Sequence, residues 1–345
     1  MRKAKIVRAR QFLFLLSSLV LCSGIGFGAS LDLVQKAKQE GGEVITYDTT
    51  RIAITRPLFD AFEAKYPFLK VKQYKADTNK MMQRVLAEYR AGKHLVDVLS
   101  FGNFHMEVLI DKGIVGQYES PERRNYAPLF KDKRGGYWTA VHYIPMTIDY
   151  NTNLVSEKVR PQEWQDLVDP KWKGQIAMEE DNVEWYAGML KGMGTETAEK
   201  FMKALAKQNI RLTRGPSDGI ALLAAGEFSI LISRGQHAEA LKAKGAPVDW
   251  VKNPNPLVSQ FKMVSIPQRP PHPNSAKLFI DFMLSDTAAE IFAKFLVNPA
   301  REGVRNISSG FKEIDIKKLV PPPTEELKQH YSRYLKEFRD LFGAL

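Results

Sequence analysis

The 345 residues hold 50 Lys and Arg against 39 Asp and Glu, for a formal charge of +11, with 44% apolar and 26% charged residues. These proportions exclude a disordered or low-complexity chain and leave room for about two domains. Five of the positive charges and none of the negative ones precede residue 31, so the remainder carries only +6. That excess is spread along the chain and argues against a nucleic-acid surface.

Residues 1–30 read as a Sec signal peptide. Arg2, Lys3, Lys5, Arg8 and Arg10 form a basic start, Phe12–Leu21 an apolar run, and Gly24–Ser30 a small-residue end. The run is too short to span a bilayer. Cleavage is expected after Gly28 or Ser30. Ala9 interrupts a twin-arginine pair, and Leu21 before Cys22 disfavours lipidation. Cys22 is the sole cysteine, so the exported chain has no internal disulfide.

A strand is predicted at Gly42–Tyr47, followed by the polar loop Asp48–Arg51. A helix starts near Thr55 with Pro57 in its first turn. Val71–Tyr74 reads as a strand, and Asp77 or Thr78 caps a helix that Gly92 stops. Val96–Leu99 is a third strand with exit loop Ser100–Asn103, and Asn103 caps Phe104–Lys112. Thr139–Leu154, rich in β-branched and aromatic residues, is the first crossover between two lobes. The alternation then restarts. Gln175–Met178 is a strand with exit loop 179–182, Val183–Met193 a helix, and Thr195 the cap of another. Ile210–Thr213 is a strand leaving through Arg214–Ser217, where Ser217 caps a helix. Phe228–Ile232 leaves through Ser233–His237. Phe261–Ile266 is the return crossover. Asn274 caps Ala276–Leu284, Ser285 caps Asp286–Leu296, and Pro321–Pro323 precede a final amphipathic helix. Such βα alternation predicts mostly parallel sheets covered by helices, with ligands beyond the carboxyl ends of the strands.

Three arginines, Arg51, Arg214 and Arg234, fall in these exit loops beside helix starts. Each offers a planar fork for a carboxylate or phosphate. With Thr49, Thr50, Ser100, Asn103 and Ser217 they outline an oxyanion site. Glu180 is a candidate for a ligand's amino group. Either His142 or Tyr143 faces the cleft, because alternation along a strand allows only one of the two; Tyr143 is carried as the ligand-binding candidate. There is no GxSxG, HExxH or P-loop motif, and the six histidines are dispersed. No catalytic residue, metal or cofactor is therefore assigned; a secreted enzyme is the remaining alternative.

Several blocks resemble the periplasmic solute-binding proteins of ABC importers: DLVDPKWKGQIAM at 166–178, AAGEFSI at 224–230, KAKGAPVDWV at 242–251 and PHPNSAKLFIDFMLSD at 271–286. PLFDAFEAKYP at 57–67 and AGKHLVDV at 91–98 extend the likeness into the first half. The branch resembled includes binders of ferric iron, phosphonates and sugar phosphates. The resemblance implies a type II two-lobe α/β fold with two crossing hinge strands. The first lobe would comprise 31–145 plus 260–300, and the second 146–259 plus 301–345. It also implies a periplasmic monomer that hands a small ligand to an ABC permease and its ATPase. Iron binders of the branch use adjacent tyrosines, and this chain has no Tyr-Tyr pair. Where tyrosine is often placed it reads Ser233-Arg234-Gly235-Gln236-His237. An iron or iron-chelate binder is accordingly the alternative to an oxyanion binder.

Overall fold

The computed structural model describes residues 31–180, 182–304 and 307–343; the signal-peptide reading and Cys22 lie outside them. Helix α1 (Leu31–Ala37) comes first. Then β1 (Glu43–Asp48), α2 (Ile52–Lys65), β2 (Lys70–Tyr74), α3 (Thr78–Arg90), β3 (Val98–Gly102) and α4 (Asn103–Asp111) alternate. The long strand β4 (Thr139–Asn151) leads to β5 (Ile176–Glu179), α5 (Val183–Met193), α6 (Thr195–Ala206) and β6 (Arg211–Thr213). Next come α7 (Pro216–Ala225), β7 (Ile230–Arg234), α8 (Gly235–Lys242) and β8 (Val248–Trp250). Strand β9 (Leu257–Ser265) returns, followed by α9 (Pro273–Met283), α10 (Asp286–Lys294) and β10 (Asn298–Pro299). The tail holds α11 (Ser309–Lys312), β11 (Leu319–Val320) and α12 (Thr324–Phe342).

The strands run in the order β2-β1-β3-β9-β4-β7-β5-β6. β1 lies parallel to β2 and β3, and β5 parallel to β6 and β7. Between these parallel halves the crossing strands β4 and β9 are antiparallel. β4 changes partner midway: Thr139–Pro145 pair with β9, and Met146–Tyr150 pair with β7. A register shift between Ala140 and His142 places His142 opposite Lys262, as a bulge does when it re-aims a side chain. One core gathers around Phe62, Phe101 and Phe279, and a second around Trp164, Trp185 and Phe338.

Helix α12 touches both halves. Tyr334 and Phe338 pack against Tyr186 of α5. Tyr331 stacks on Phe104 of α4, centroids 4.9 Å apart, and Lys328 Nζ lies 2.6 Å from Asp111 at the end of α4. The backbone of His330, between these contacts, is non-helical.

Several local expectations are corrected. α2 begins at Ile52, so Pro57 lies inside it; burial of Ile54 and Thr55 extends the helix past its proline. Strand β3 includes Ser100 and Phe101, expected in a loop, because β9 pairs with them. β7 likewise includes Ser233 and Arg234, paired to β4. Asn103 and Thr195 are first helical residues, and the N-caps are Gly102 and Gly194. Ser217 is not a cap either: Gly215 caps α7, at φ 154°, which glycine tolerates. His272, not Asn274, caps α9, whose first N–H groups donate to Glu40. Asp77 and Ser285 cap α3 and α10 as expected.

Candidate functional site: the interlobe cleft

The exit of β1 is built before any ligand arrives. Thr50 N–H donates to Asp48 Oδ1 at 2.7 Å. Gln73 Nε2 donates to the carbonyls of Asp48 and Thr50, each at 3.0 Å, and Thr55 Oγ1 donates to Gln73 at 2.6 Å. Lys262 of β9 completes the loop from the crossover. Its ammonium donates to Thr49 Oγ1 and to the Ser100 carbonyl, and sits 3.2 Å from Asp48 Oδ1. Burial by itself raises the Asp48 carboxyl; Lys262 and Thr50 outweigh it and hold the group below its ordinary range. Arg51, exposed, then caps α2 through its backbone. Among the described residues its guanidinium has no hydrogen bond or ion pair.

Facing it stand the exits of β5 and β7. Arg234 donates through Nη1 to both oxygens of Glu179 at 2.5 Å, and Ser233 Oγ adds a bond to Oε1 at 3.2 Å. Asn182 caps α5 without a side-chain bond. Glu184, in that first turn, is pushed up to about 7 by burial, with the Arg234 charge and a Gln260 hydrogen bond opposing. Three histidines line this space in the neutral form. Burial lowers His105 to about 4 and His142 to about 3, and Lys262 adds to both shifts. His237 falls to about 3 through burial, then Arg234, then Arg51. The last effect brings Arg51 of the first half toward the second.

Among the described residues, five polar atoms at these facing strand ends are enclosed and have no hydrogen-bond partner: Ser100 Oγ, His142 Nδ1, Asn182 Nδ2, Glu184 Oε2 and Gln236 Oε1. Enclosed polar atoms are normally paired. The N-termini of α2, α4, α5 and α8 meet here with no side-chain cap, so their first N–H groups remain available.

The sequence candidates divide. Thr49, Thr50, Arg51, Ser100 and Arg234 come together, although Arg234 arrives already paired. Glu180 is partly buried and anchors its backbone on the Thr213 carbonyl at 3.1 Å. Arg214, on the loop after β6, and Ser217, in the first turn of α7, are exposed at the outer edge. Asn103 is a tie to the crossover, its Oδ1 accepting from Phe261 N–H at 2.6 Å. Tyr143 is corrected to a core residue: it is 6% exposed and stacks on Phe130 at 5.4 Å. Alternation gives the Lys262 side of β4 to His142 instead.

Lys262 and Glu184 were missed at these strand ends; His142 had been weighed there against Tyr143, and Glu179 and His237 stood only as parts of their exit loops. A lysine inside the apolar run 261–266 and a glutamate inside the apolar helix 183–190 were the available signals. Glu239 follows His237 by two positions on α8. That carboxylate is structural, accepting from Trp250 Nε1 at 2.6 Å. Elsewhere a 690 Å³ groove lies between the first lobe, the end of α5 and Pro321–Glu325. Much of its charge is already satisfied, since Arg134 binds Asp132 and Glu107.

Two parallel-sheet halves joined by paired crossing strands, with polar strand ends facing each other, define a type II periplasmic binding protein fold. Residues 93–313 match the model of the bacterial extracellular solute-binding proteins, and the chain belongs to that family. Among solved structures it is similar to the fructose-6-phosphate-bound periplasmic binding protein AfuA from Actinobacillus pleuropneumoniae. The identity is 22% and the TM-score 0.73, covering 87% of this chain and 98% of that one. Iron-bound HitA from Pseudomonas aeruginosa is similar at 21% identity and TM-score 0.74, covering 87% and 99%. Trichodesmium IdiA (FutA), with iron and citrate, is similar at 20% and 0.72, covering 88% and 100%. No curated protein matches the chain by sequence.

Proposed function

We propose that this protein captures a small oxyanion-bearing solute between its lobes in the periplasm and delivers it unchanged to an ABC permease and its ATPase. The carrying observation is the convergence of enclosed polar atoms and uncapped helix N-termini beside Arg51, whose guanidinium, with those atoms, has no partner among the described residues. Capture in an open cleft is followed by closure about the two crossovers, near 145/146 and 259/260. The lobes are then 31–145 with 260–300, and 146–259 with 301–345, acting as a monomer. Solved relatives of the fold include proteins holding a sugar phosphate or iron with citrate. For this chain the oxyanion reading is favoured. The position where iron binders of the branch often place tyrosine is taken by Arg234, the last residue of β7.

A thermal-shift screen of phosphate esters, phosphonates and carboxylates on residues 31–345 tests this. A binder at a hundred times its Kd raises apparent stability by about 2.7 kcal/mol and is recovered intact. Turnover of the bound compound at a catalytic rate would refute the transport reading. Ferric citrate is expected to give no tyrosinate charge-transfer band; a band at one iron per chain would restore the iron alternative.

A further inference from the structure

The cleft's charges are unevenly spent. Lys262 is held against Asp48 at 3.2 Å, and Arg234 against both oxygens of Glu179 at 2.5 Å. Each of these cations therefore enters with its charge compensated. Among the described residues three groups at these strand ends have no ionic partner: Arg51, Glu184 and Glu180. Glu180 is only partly buried, with no enclosed oxygen, whereas Glu184 has an enclosed Oε2.

A solute with only an anionic group answers part of this inventory. It would pair with Arg51 and leave the Glu184 carboxylate unpaired in a space the solute has just closed to water. An unpaired buried charge is costly, so Glu184 would have to take up a proton. A solute carrying an ammonium beside its acid answers both Arg51 and the enclosed Glu184 oxygen, and Glu184 can then stay ionised. Glu184 is suited to this role by position. It lies in the first turn of α5, where the helix dipole favours a carboxylate, and Gln260 of the crossover orients it.

Resting on the cleft as the solute site, we infer that the solute is a zwitterion whose acid is received by Arg51 and whose ammonium is received by Glu184. Glu184 thereby becomes the residue that sets specificity, while Arg51 supplies attraction common to many anions.

The test uses matched probes that differ only by the amine: β-alanine and propionate, 4-aminobutyrate and butyrate, taurine and ethanesulfonate, 2-aminoethylphosphonate and ethylphosphonate. Each is titrated calorimetrically into residues 31–345 and into the Glu184→Gln and Arg51→Ala variants. In at least one pair the amine-bearing member should bind at least about tenfold tighter, the scale of one charge-assisted hydrogen bond. Glu184→Gln should reduce it to the level of its partner. Titration in buffers of different ionisation enthalpy should show proton release on binding at pH 7, because Glu184 becomes fully ionised. A packing role alone would not move that readout. If the amine-free member binds as well or better, with proton uptake, the zwitterion inference is overturned while the cleft remains the site. If an amine-bearing probe binds but neither variant changes its affinity, the site itself is elsewhere and both readings fall. If no probe binds, the zwitterion inference is overturned.

Discussion

Asp149 offers a sharp test of the electrostatics under the second lobe. The residue is 0% exposed on β4. Thr147 Oγ1 donates to its Oδ1 at 2.7 Å, and its Oδ2 has no partner among the described residues. Burial pushes the carboxyl up from 3.8 to about 7, against the pull of Thr147 and Lys252. The unfolded chain ionises this group first, so between those values the folded state binds more protons. Stability therefore falls as pH rises through that window. The loss reaches about 4 kcal/mol above pH 7, of which about 2.5 kcal/mol accrues between pH 5 and 8. Asp149→Asn removes the titration and keeps an acceptor for Thr147, but places an unpaired amide N–H where Oδ2 stood. That costs about 1–3 kcal/mol at every pH. The variant should lie within about 1.5 kcal/mol of the wild type at pH 5 and be more stable than it at pH 8. Urea unfolding at both pH values measures the difference, and subtracting wild type from variant cancels the other titrating groups. A gap that does not change with pH would show that Asp149 titrates normally, and the burial argument would fail.

Arg51→Ala should weaken whichever solute the screen identifies by about 1.5–3 kcal/mol, whereas Arg214→Ala, at the exposed edge, should leave calorimetric affinity nearly unchanged; the reverse order would move the anion site to the β6 exit. Gly188→Ala would set a Cβ 2.5 Å from Val258 Cγ1, where α5 packs on β9. Despite the better helix propensity of alanine it should cost about 1–3 kcal/mol in urea melts, and a neutral result would mean that this helix–strand contact relaxes freely. Tyr331→Ala removes the stack on Phe104 that ties α12 to the first half. A loss of about 0.5–1.5 kcal/mol with a broader size distribution in X-ray scattering is expected, and an unchanged scattering profile would deny α12 any role in holding the halves together.

Local sequence determined the elements wherever the deciding interactions are local. Val183–Met193 was legible to the residue because its apolar face has helical period and glycine follows it. Asp77 and Ser285 were legible as caps because each bonds an N–H within three residues. The two-lobe alternation and the crossover, expected over 139–154 and found as the strand Thr139–Asn151, followed from the same kind of signal. The tertiary structure decided what depends on distant partners. Ser100 and Arg234 look like loop residues by composition, yet pairing with β9 and β4 draws them into strands. The site changed most. Arg234 finds Glu179 55 positions away, and Lys262 reaches Thr49 across 213. Of three arginines in exit loops, Arg234 is spent on Glu179, Arg214 stands exposed at the outer edge and Arg51 is left beside the cleft, because a side chain's available charge depends on which groups the fold has already set against it, and no window of sequence contains both members of such a pair.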